Sequence, residues 1–176
     1  MSSLQSLAAA VLYILPAYVA NGSPVVGGKL IGRKTPIDLG ARAWDGRRVL
    51  GDGKTFEGLI IGLTMGTLTG IAISSIISPS LYRSLIEPFL LSLGAMLGDI
   101  LGSFIKRRLG LQRGQPAPPM DQLGFAVFAL LLTFSLYGVP AWADLLTIIA
   151  LLTVTAFLHV GTNFLAYLVG LKPEPY

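Results

Sequence analysis

The chain has 176 residues, of which 53% are hydrophobic and 12% are charged. Soluble domains carry about 25% charged residues, so this composition indicates an integral membrane protein. The sequence contains no cysteine, which excludes disulfide bonds and thiolate metal sites. The net charge of +4 does not indicate nucleic-acid binding, because the basic residues lie in loops between apolar segments rather than in a basic arm or face.

Five apolar segments are long enough to cross a bilayer, so the sequence predicts an all-α integral membrane protein with five transmembrane helices. The predicted spans are residues 4–20, 59–77, 88–105, 123–139 and 145–169, in a single membrane domain covering residues 1–176. The turn signal Asn21-Gly22-Ser23-Pro24 is expected to end the first span. Two long polar loops, residues 25–57 and 106–122, follow the first and third spans.

The distribution of basic residues predicts the orientation. Of the 13 Lys and Arg residues, 12 lie in the two polar loops and the C-terminal tail, whereas Arg83 falls between the second and third spans. Cytoplasmic loops carry an excess of Lys and Arg. We therefore expect a multi-pass protein of the cell membrane, with its N-terminus outside and both long loops in the cytoplasm.

A carboxylate, Asp99, lies inside the third span. A charge at the bilayer centre costs about 2.5–3.5 kcal/mol on insertion scales, so we expect Asp99 to face protein, a cation or a wet cavity. Ser103 and Lys106 follow at helical spacing on the same face. A structural ion pair between Asp99 and Lys106 is the alternative to a functional site.

Glycines recur every fourth residue in two of the spans. The second span carries Gly58, Gly62, Gly66 and Gly70, and the third carries Gly94, Gly98 and Gly102. Small residues at this spacing let helices approach closely, which predicts that the second and third spans are neighbours.

Asp121 begins the fourth span, across the second polar loop from Asp99. Mg²⁺ prefers one or two carboxylates, several waters and the phosphates of a substrate. Two carboxylates beneath clustered Lys and Arg therefore indicate a Mg²⁺–polyphosphate site. Taken alone, Asp121 would instead be interpreted as a helix cap.

The segment Gly51-Asp52-Gly53-Lys54-Thr55 precedes the second span. Thr55 can cap the helix, and the free N–H groups together with Lys54 favour an anion. It is not a P-loop, because position 48 is Arg and no strand precedes it. A basic turn that anchors the helix at the headgroups is the alternative interpretation.

His159 and Asn163 lie one helical turn apart in the fifth span, where an interhelical hydrogen-bonding role is the simpler interpretation.

The reaction that a Mg²⁺–polyphosphate site favours here, attack of a lipid phosphate on a nucleotide, needs neither a nucleophilic side chain nor a strong base. A lipid phosphomonoester is mostly dianionic at pH 7, because its second pKa is about 6. It can attack the α-phosphate of a nucleotide if cations neutralise the charge and hold the groups in line.

Six motifs extend this pattern over nearly the whole chain. They are Asn21-Gly22, Pro36-Ile37-Asp38, Asp45-Gly46-Arg47-Arg48, Gly51 to Thr55, Gly98 to Arg108, and Asp121-Gln122-Leu123. In combination they resemble the membrane CTP:phosphatidate cytidylyltransferases, and more closely the archaeal branch of that family, the CDP-archaeol synthases.

The resemblance implies Mg²⁺-dependent transfer of CMP from CTP to an isoprenoid glycerol ether-lipid phosphate, 2,3-bis-(geranylgeranyl)-glycerol 1-phosphate, with release of pyrophosphate. It implies metal binding by Asp99 and Asp121, and catalytic roles for these two residues with Lys106 and Arg107. The expected nucleotide-binding residues are Asn21, Asp52, Gly53, Lys54, Thr55, Ser103, Lys106 and Arg107. The expected lipid-phosphate residues are Arg47, Arg48, Arg108, His159 and Asn163.

The chain also departs from the bacterial signature. Its second loop is shorter and lacks the His-Gly-Gly of that signature, and Gly124 stands where a second carboxylate often follows Asp121. These departures favour a single Mg²⁺ ion.

Three other interpretations are open at the level of sequence. Asp45-Gly46-Arg47-Arg48 begins like the signature of a CDP-alcohol phosphotransferase. The rest of that signature is not met, because Leu50 replaces its Arg and no Asp-x-x-x-Asp follows. A small transporter would use Asp99 as an ion site. A purely structural subunit would leave the clustering of Lys, Arg and Asp unexplained.

Overall fold

A computed structural model describes residues 2–32, 34–172 and 174. Five helices follow in the order α1 (Ser3–Leu30), α2 (Phe56–Ile76), α3 (Ile86–Arg108), α4 (Met120–Tyr137) and α5 (Leu145–Leu168). All five are long and apolar enough to cross a membrane, which confirms the predicted fold class. Arg33, one of the basic residues counted above, lies outside the described residues, as does the side chain of Lys29.

The first helix is longer than predicted, and the expectation that Asn21-Gly22-Ser23-Pro24 ends it is wrong. Helix α1 continues through both Pro16 and Pro24 to Leu30. Pro24 has no N–H to donate to the carbonyl of Ala20, one turn earlier. A Cβ atom at Gly62 of α2 would lie 2.7 Å from that oxygen, so the backbone of α2 packs directly against it. Tertiary packing of this kind overrides a local turn signal.

The two glycine stripes pack against different partners. In α2, Cβ atoms at Gly62 and Gly66 would collide with carbonyl oxygens of α1 and with side chains of α3. In α3, Cβ atoms at Gly94 and Gly98 would collide with the backbone of α4, the latter lying 2.7 Å from the carbonyl oxygen of Gly124. Helices α2 and α3 are neighbours as predicted, but the glycines of α3 serve its contact with α4.

One end of the bundle, hereafter the loop end, carries the polar segments. Helices α1, α3 and α5 finish there and α2 and α4 begin there, so it holds residues 31–55, 109–119 and 169–172. The opposite end is closed by a buried polar cluster. Fully buried Glu87 accepts hydrogen bonds from Tyr13 Oη at 3.1 Å and from Arg83 Nη2 at 2.6 Å. Arg83 also donates to the carbonyls of Tyr137 and Gly138 where α4 ends, so this cluster joins α1, α3 and α4.

Candidate active site

A buried carboxylate organises the first polar loop. Asp38 accepts hydrogen bonds from the backbone N–H groups of Leu50 at 3.0 Å and Gly51 at 2.9 Å, and it pairs with Arg48 at 2.6 Å. The Arg48 guanidinium holds the pKa of the Asp38 carboxyl well below its usual range. Arg48 also pairs with Asp52 at 2.8 Å. The loop thus presents residues 48–54 as one wall of a cavity.

That cavity lies at the loop end, between the first loop, the end of α3 and the second loop, and has a volume of about 280 Å³. It is lined by Arg48, Leu50, Gly51, Asp52, Gly53, Lys54, Ser103, Lys106, Arg107, Arg113 and Gly114. Five of these side chains are cationic and one is acidic, so the cavity has the charge of a polyanion site. Arg107 has no acidic partner among the residues that the structure describes, and its Nε is buried without a hydrogen bond.

Lys54, in the wall of the cavity, pairs with Asp99. Its Nζ lies 2.5 Å from Asp99 Oδ2, and the side chains are 23% and 33% exposed. The pair joins the start of α2 to the interior of α3, and it gives Asp99 the cation that its place in a span requires.

Lys106 pairs with the second carboxylate. Its Nζ lies 2.9 Å from Asp121 Oδ2 and 3.1 Å from Asp121 Oδ1. The alternative of an ion pair between Asp99 and Lys106 is therefore wrong, although one helix face carries both residues. The helix-cap alternative for Asp121 is also wrong, because Pro119 occupies the N-cap position of α4 and Asp121 instead accepts from the N–H of Ala117 at 2.8 Å.

The two carboxylates share their surroundings. Lys172, just beyond α5, interacts electrostatically with both Asp99 and Asp121 and with their partners Lys54 and Lys106. His159 of α5 likewise interacts with Asp99 and Asp121. Burial lowers the pKa of Lys172. The neighbouring carboxylates act to raise that pKa, and the neighbouring lysines act to lower it. Charged and polar groups from the first loop, α3, α4, α5 and the segment after α5 therefore interact as one cluster at the loop end.

The other predicted site residues fall into three groups. Asp52, Gly53, Ser103 and Arg107 line the cavity, as does Arg48. Thr55 is the N-cap of α2, as predicted, and its hydroxyl accepts from the N–H of Gly58 at 3.1 Å. Asn21 lies within α1, nine residues before its end, rather than at the mouth of a span.

Apart from Arg48, which lines the cavity, the residues predicted to bind the lipid phosphate are divided between two places. Arg47 donates to the carbonyl of Arg108 at 2.8 Å, and the Arg108 guanidinium lies over the faces of Trp44 and Phe104. Asn163 accepts from Lys172 at 3.1 Å, and the ring of His159 lies 5.9 Å from that of Phe125. Arg47 and Arg108 therefore brace the first loop on α3, whereas His159 and Asn163 face the cluster.

Sequence reasoning missed three contributors to this site. Arg113 lines the cavity from the second loop, Asp38 supports its wall, and Lys172 interacts with both carboxylates. Only the positive charge of Arg113 and Lys172 marked them in the sequence, because loop residues carry no periodicity that predicts where they point. Asp38 was named in the sequence only within the motif Pro36-Ile37-Asp38, and nothing there distinguished it from the other aspartates of the loop, Asp45 and Asp52.

The carboxylates suit a metal that the substrate helps to bind. Among the described residues, no group of three His, Cys, Asp or Glu side chains could hold an ion by itself. Asp99 and Asp121 are both partly exposed, at 33% and 28%, so each carboxylate can exchange a lysine contact for a hydrated ion. Two carboxylates with substrate phosphates and waters are the oxygen donors that Mg²⁺ prefers.

The fold and the site define a multi-pass membrane protein, a five-helix bundle with a cationic cavity at one end and ion-paired carboxylates from its spans beside that cavity. Residues 3–176 match the profile of the CarS-like CDP-archaeol synthase family. The chain is 49% identical to the CDP-archaeol synthase of Thermococcus onnurineus, over 99% of both chains, and 48% identical to that of Thermococcus kodakarensis, over the full length of both.

A solved structure shares the fold as well. It is described as an intramembrane enzyme for archaeal membrane lipids biosynthesis, and it aligns with a TM-score of 0.75 and 38% identity over 88% of this chain and 92% of the other. The chain therefore belongs to the CDP-archaeol synthase family and is a CTP-dependent lipid cytidylyltransferase. This membership excludes the phosphotransferase, transporter and structural-subunit interpretations.

Proposed function

We propose that this enzyme transfers CMP from CTP to the phosphate of an unsaturated isoprenoid glycerol ether lipid, in a Mg²⁺-dependent reaction at the cytoplasmic face of the cell membrane. The observation that supports the proposal most directly is that two lysine–aspartate ion pairs lie at one cavity. Lys54 and Lys106 both line it, and each holds a carboxylate from a membrane-spanning helix.

The triphosphate of CTP binds in the cavity. Lys54, Lys106 and Arg107 neutralise its charge, and Arg113 supports them from the second loop. The N–H groups ahead of α2 add the positive end of the helix dipole. Because Lys54 and Lys106 start out bound to aspartates, an incoming triphosphate replaces one set of anionic partners with another and leaves no cation unpaired.

Asp99 and Asp121 would hold the Mg²⁺ ion together with phosphate oxygens of the substrate. When bound, the ion supplies positive charge that offsets the charge on the reacting phosphates. The residues of the chain hold the two phosphates together and orient them. After product release, Lys54 and Lys106 pair with the carboxylates again.

The chemical step needs no protein nucleophile. An oxygen of the lipid phosphate forms a bond to the α-phosphorus of CTP, while the bond from that phosphorus to the oxygen bridging the α- and β-phosphates breaks. Pyrophosphate leaves with the bonding electrons, and the CDP-lipid remains. No proton has to be removed from the attacking oxygen, because the phosphomonoester is mostly dianionic at pH 7 with a second pKa of about 6. The protein contributes position and charge.

The test is CDP-lipid formation by the full chain in detergent, with labelled CTP, Mg²⁺ and the ether-lipid phosphate. The neutral variants Asp99→Asn and Asp121→Asn should each lower kcat/KM by about 100-fold or more, because each removes a carboxylate proposed to hold the Mg²⁺ ion that offsets the phosphate charge. Asp144→Asn is the matched control, since Asp144 caps α5 at the opposite end and Asn caps equally well. It should retain activity.

Each outcome bears on a separate part of the proposal. Failure of the wild-type protein to form any CDP-lipid under these conditions would contradict the proposed reaction. Near-normal activity of one Asp→Asn variant would remove that residue from the site. Full activity in the presence of excess EDTA would show that the reaction does not require the metal ion.

A further inference from the structure

Helix α5 carries buried residues only in the first part of its length, and its later residues are at most partly buried. Thr147, Leu151 and Thr155 are buried at four-residue spacing, and the hydroxyl of Thr155 lies 2.6 Å from that of Tyr18 on α1. The same face continues through His159 and Asn163, but no residue from 156 to 168 is buried. The bundle therefore opens beside α5 at the loop end, toward the bilayer.

The chain reverses at the end of α5 and places Lys172 across this opening. Gly170 has a φ of +69°, in the left-handed region that favours glycine. The N–H groups of Leu171 and Lys172 then donate to the carbonyl of Ala166 at 2.7 Å and 3.2 Å. The Lys172 side chain is partly buried, and its Nζ donates to Asn163 Oδ1 at 3.1 Å. Backbone and side chain thus both hold this ammonium in place.

The Lys172 ammonium interacts with the polar cluster from outside the cavity that Lys54 and Lys106 line. It interacts with the charges of Asp121, Lys106, Lys54 and Asp99, yet it is not among the residues that line that cavity. His159 interacts with Lys172 and with both carboxylates, so the α5 side of the cluster carries its own polar surface. Lys172 is only partly buried, and the stretch of α5 before it, residues 156–168, contains no buried residue.

We propose that Lys172, held by Asn163, binds the phosphate of the lipid substrate as it enters beside α5. The proposal rests on the proposed function, because it assigns the second substrate of the same reaction. The lipid tails stay in the bilayer, so its phosphate has to reach the cluster from the side. Lys172 offers a point charge on that side, which suits a phosphate monoester. His159 and Asn163 line the approach, and the cavity cations remain available for CTP.

Steady-state kinetics with each substrate varied in turn test this assignment. Lys172→Met removes the charge and keeps the length of the side chain. It should raise the KM for the lipid phosphate by about tenfold or more, in line with the loss of one charge-assisted hydrogen bond, and leave the KM for CTP within about twofold. Lys172→Arg keeps the charge and should recover most of the lipid affinity. Lys34→Met, at an exposed lysine of the first loop, is the matched control and should change neither KM.

A lipid KM within about twofold of wild type in Lys172→Met would overturn the proposal, as would an equal rise in both KM values. Lys172→Arg as impaired as Lys172→Met would also overturn it, because packing rather than charge would then be required. Lys172→Gln replaces Lys172→Met, with the same expected result, if the Met variant is not monodisperse in detergent. A wild-type protein that forms no CDP-lipid would contradict the proposed function instead, so the two failures are distinguishable.

Discussion

At the scale of single residues, the site depends on a carboxylate that touches no proposed substrate. Asp38 is only 9% exposed, and it accepts from the N–H groups of Leu50 and Gly51 while it pairs with Arg48. These contacts, together with a hydrogen bond from the N–H of Gly40 at 3.2 Å, hold the loop in the shape that directs Arg48 and Lys54 to one cavity. An amide in its place could accept fewer of these hydrogen bonds and would remove the buried acidic partner of Arg48, which would keep its ion pair with the exposed Asp52.

Asp38→Asn should therefore loosen the first loop. Loss of a hydrogen bond to a charged group costs about 1.5–3 kcal/mol, so amide hydrogen exchange across residues 37–51 should accelerate by about tenfold or more. Exchange in α4 should be unchanged, which serves as the internal control. Protection of this loop at the wild-type rate in the variant would show that Asp38 does not organise it.

The lowered pKa of Asp38 also sets the sign of a pH effect in the wild-type loop. A depressed carboxyl pKa contributes stability that is fully present above the unfolded value of about 3.9 and is lost as the pH falls through the lower folded value. The loop of the wild-type protein should therefore keep its protection from neutral pH down to about pH 4.

That Asp99 would meet a cation, protein or wet cavity was predictable at this scale, but its partner was not. An acid inside an apolar span is costly wherever it lies, so Asp99 was identifiable from its position alone. Helical spacing placed Asp99 and Lys106 on one face but left the distance between Asp99 and a loop residue undetermined. The partner is Lys54, 45 residues earlier in the chain, and only the folded loop brings it there.

At the scale of helices, the seam between α1 and α2 depends on glycine. A Cβ atom at Gly66 would lie 2.5 Å from the carbonyl oxygen of Pro16 and 2.9 Å from the Cβ of Ala20. Backbone atoms of a packed helix cannot yield as the end of a flexible side chain can, so any larger residue has to separate the two helices. The strict four-residue spacing of these glycines made the close contact predictable, though not the partner.

Gly66→Ala should lower the thermal unfolding temperature in detergent. Overpacking costs about 1–3 kcal/mol, which corresponds to a loss of about 3–10 °C for a chain of this size. Gly22→Ala in α1 is the matched control, because a Cβ there has no neighbour within 4 Å. The control should be neutral or slightly stabilising, since Ala favours a helix over Gly by about 0.5–1 kcal/mol. Equal behaviour of the two variants would contradict the packing argument.

The end of α1 shows why helix boundaries are harder to predict than helix existence. Asparagine, glycine, serine and proline in succession favour a turn, yet α1 continues to Leu30 because α2 packs along it. Apolar segments in a membrane protein specify helices through backbone hydrogen bonding, which is why the five helices were predictable from hydropathy. Boundaries respond to neighbours that hydropathy does not describe.

At the scale of the whole molecule, the two ends of the bundle have different tasks. The end opposite the loops is closed by Glu87 and Arg83 among the buried aromatic side chains of Tyr13, Tyr82 and Trp142. The loop end carries partly exposed ion pairs that a substrate can rearrange. Helices held firmly at one end can thus leave room at the other for a nucleotide from one side and a lipid from the bilayer.

The proposed orientation puts the loop end in the cytoplasm, where CTP is available. Because the sequence contains no cysteine, single-cysteine variants report accessibility without background labelling. Ala41→Cys in the first loop and Ser80→Cys in the turn between α2 and α3 are conservative changes at exposed positions on opposite ends of the bundle. A membrane-impermeant maleimide applied to intact cells should label Ser80→Cys at once and Ala41→Cys only after permeabilisation. The reverse pattern would place the cationic cavity outside the cell, away from its nucleotide, and would contradict the positive-inside argument for this chain.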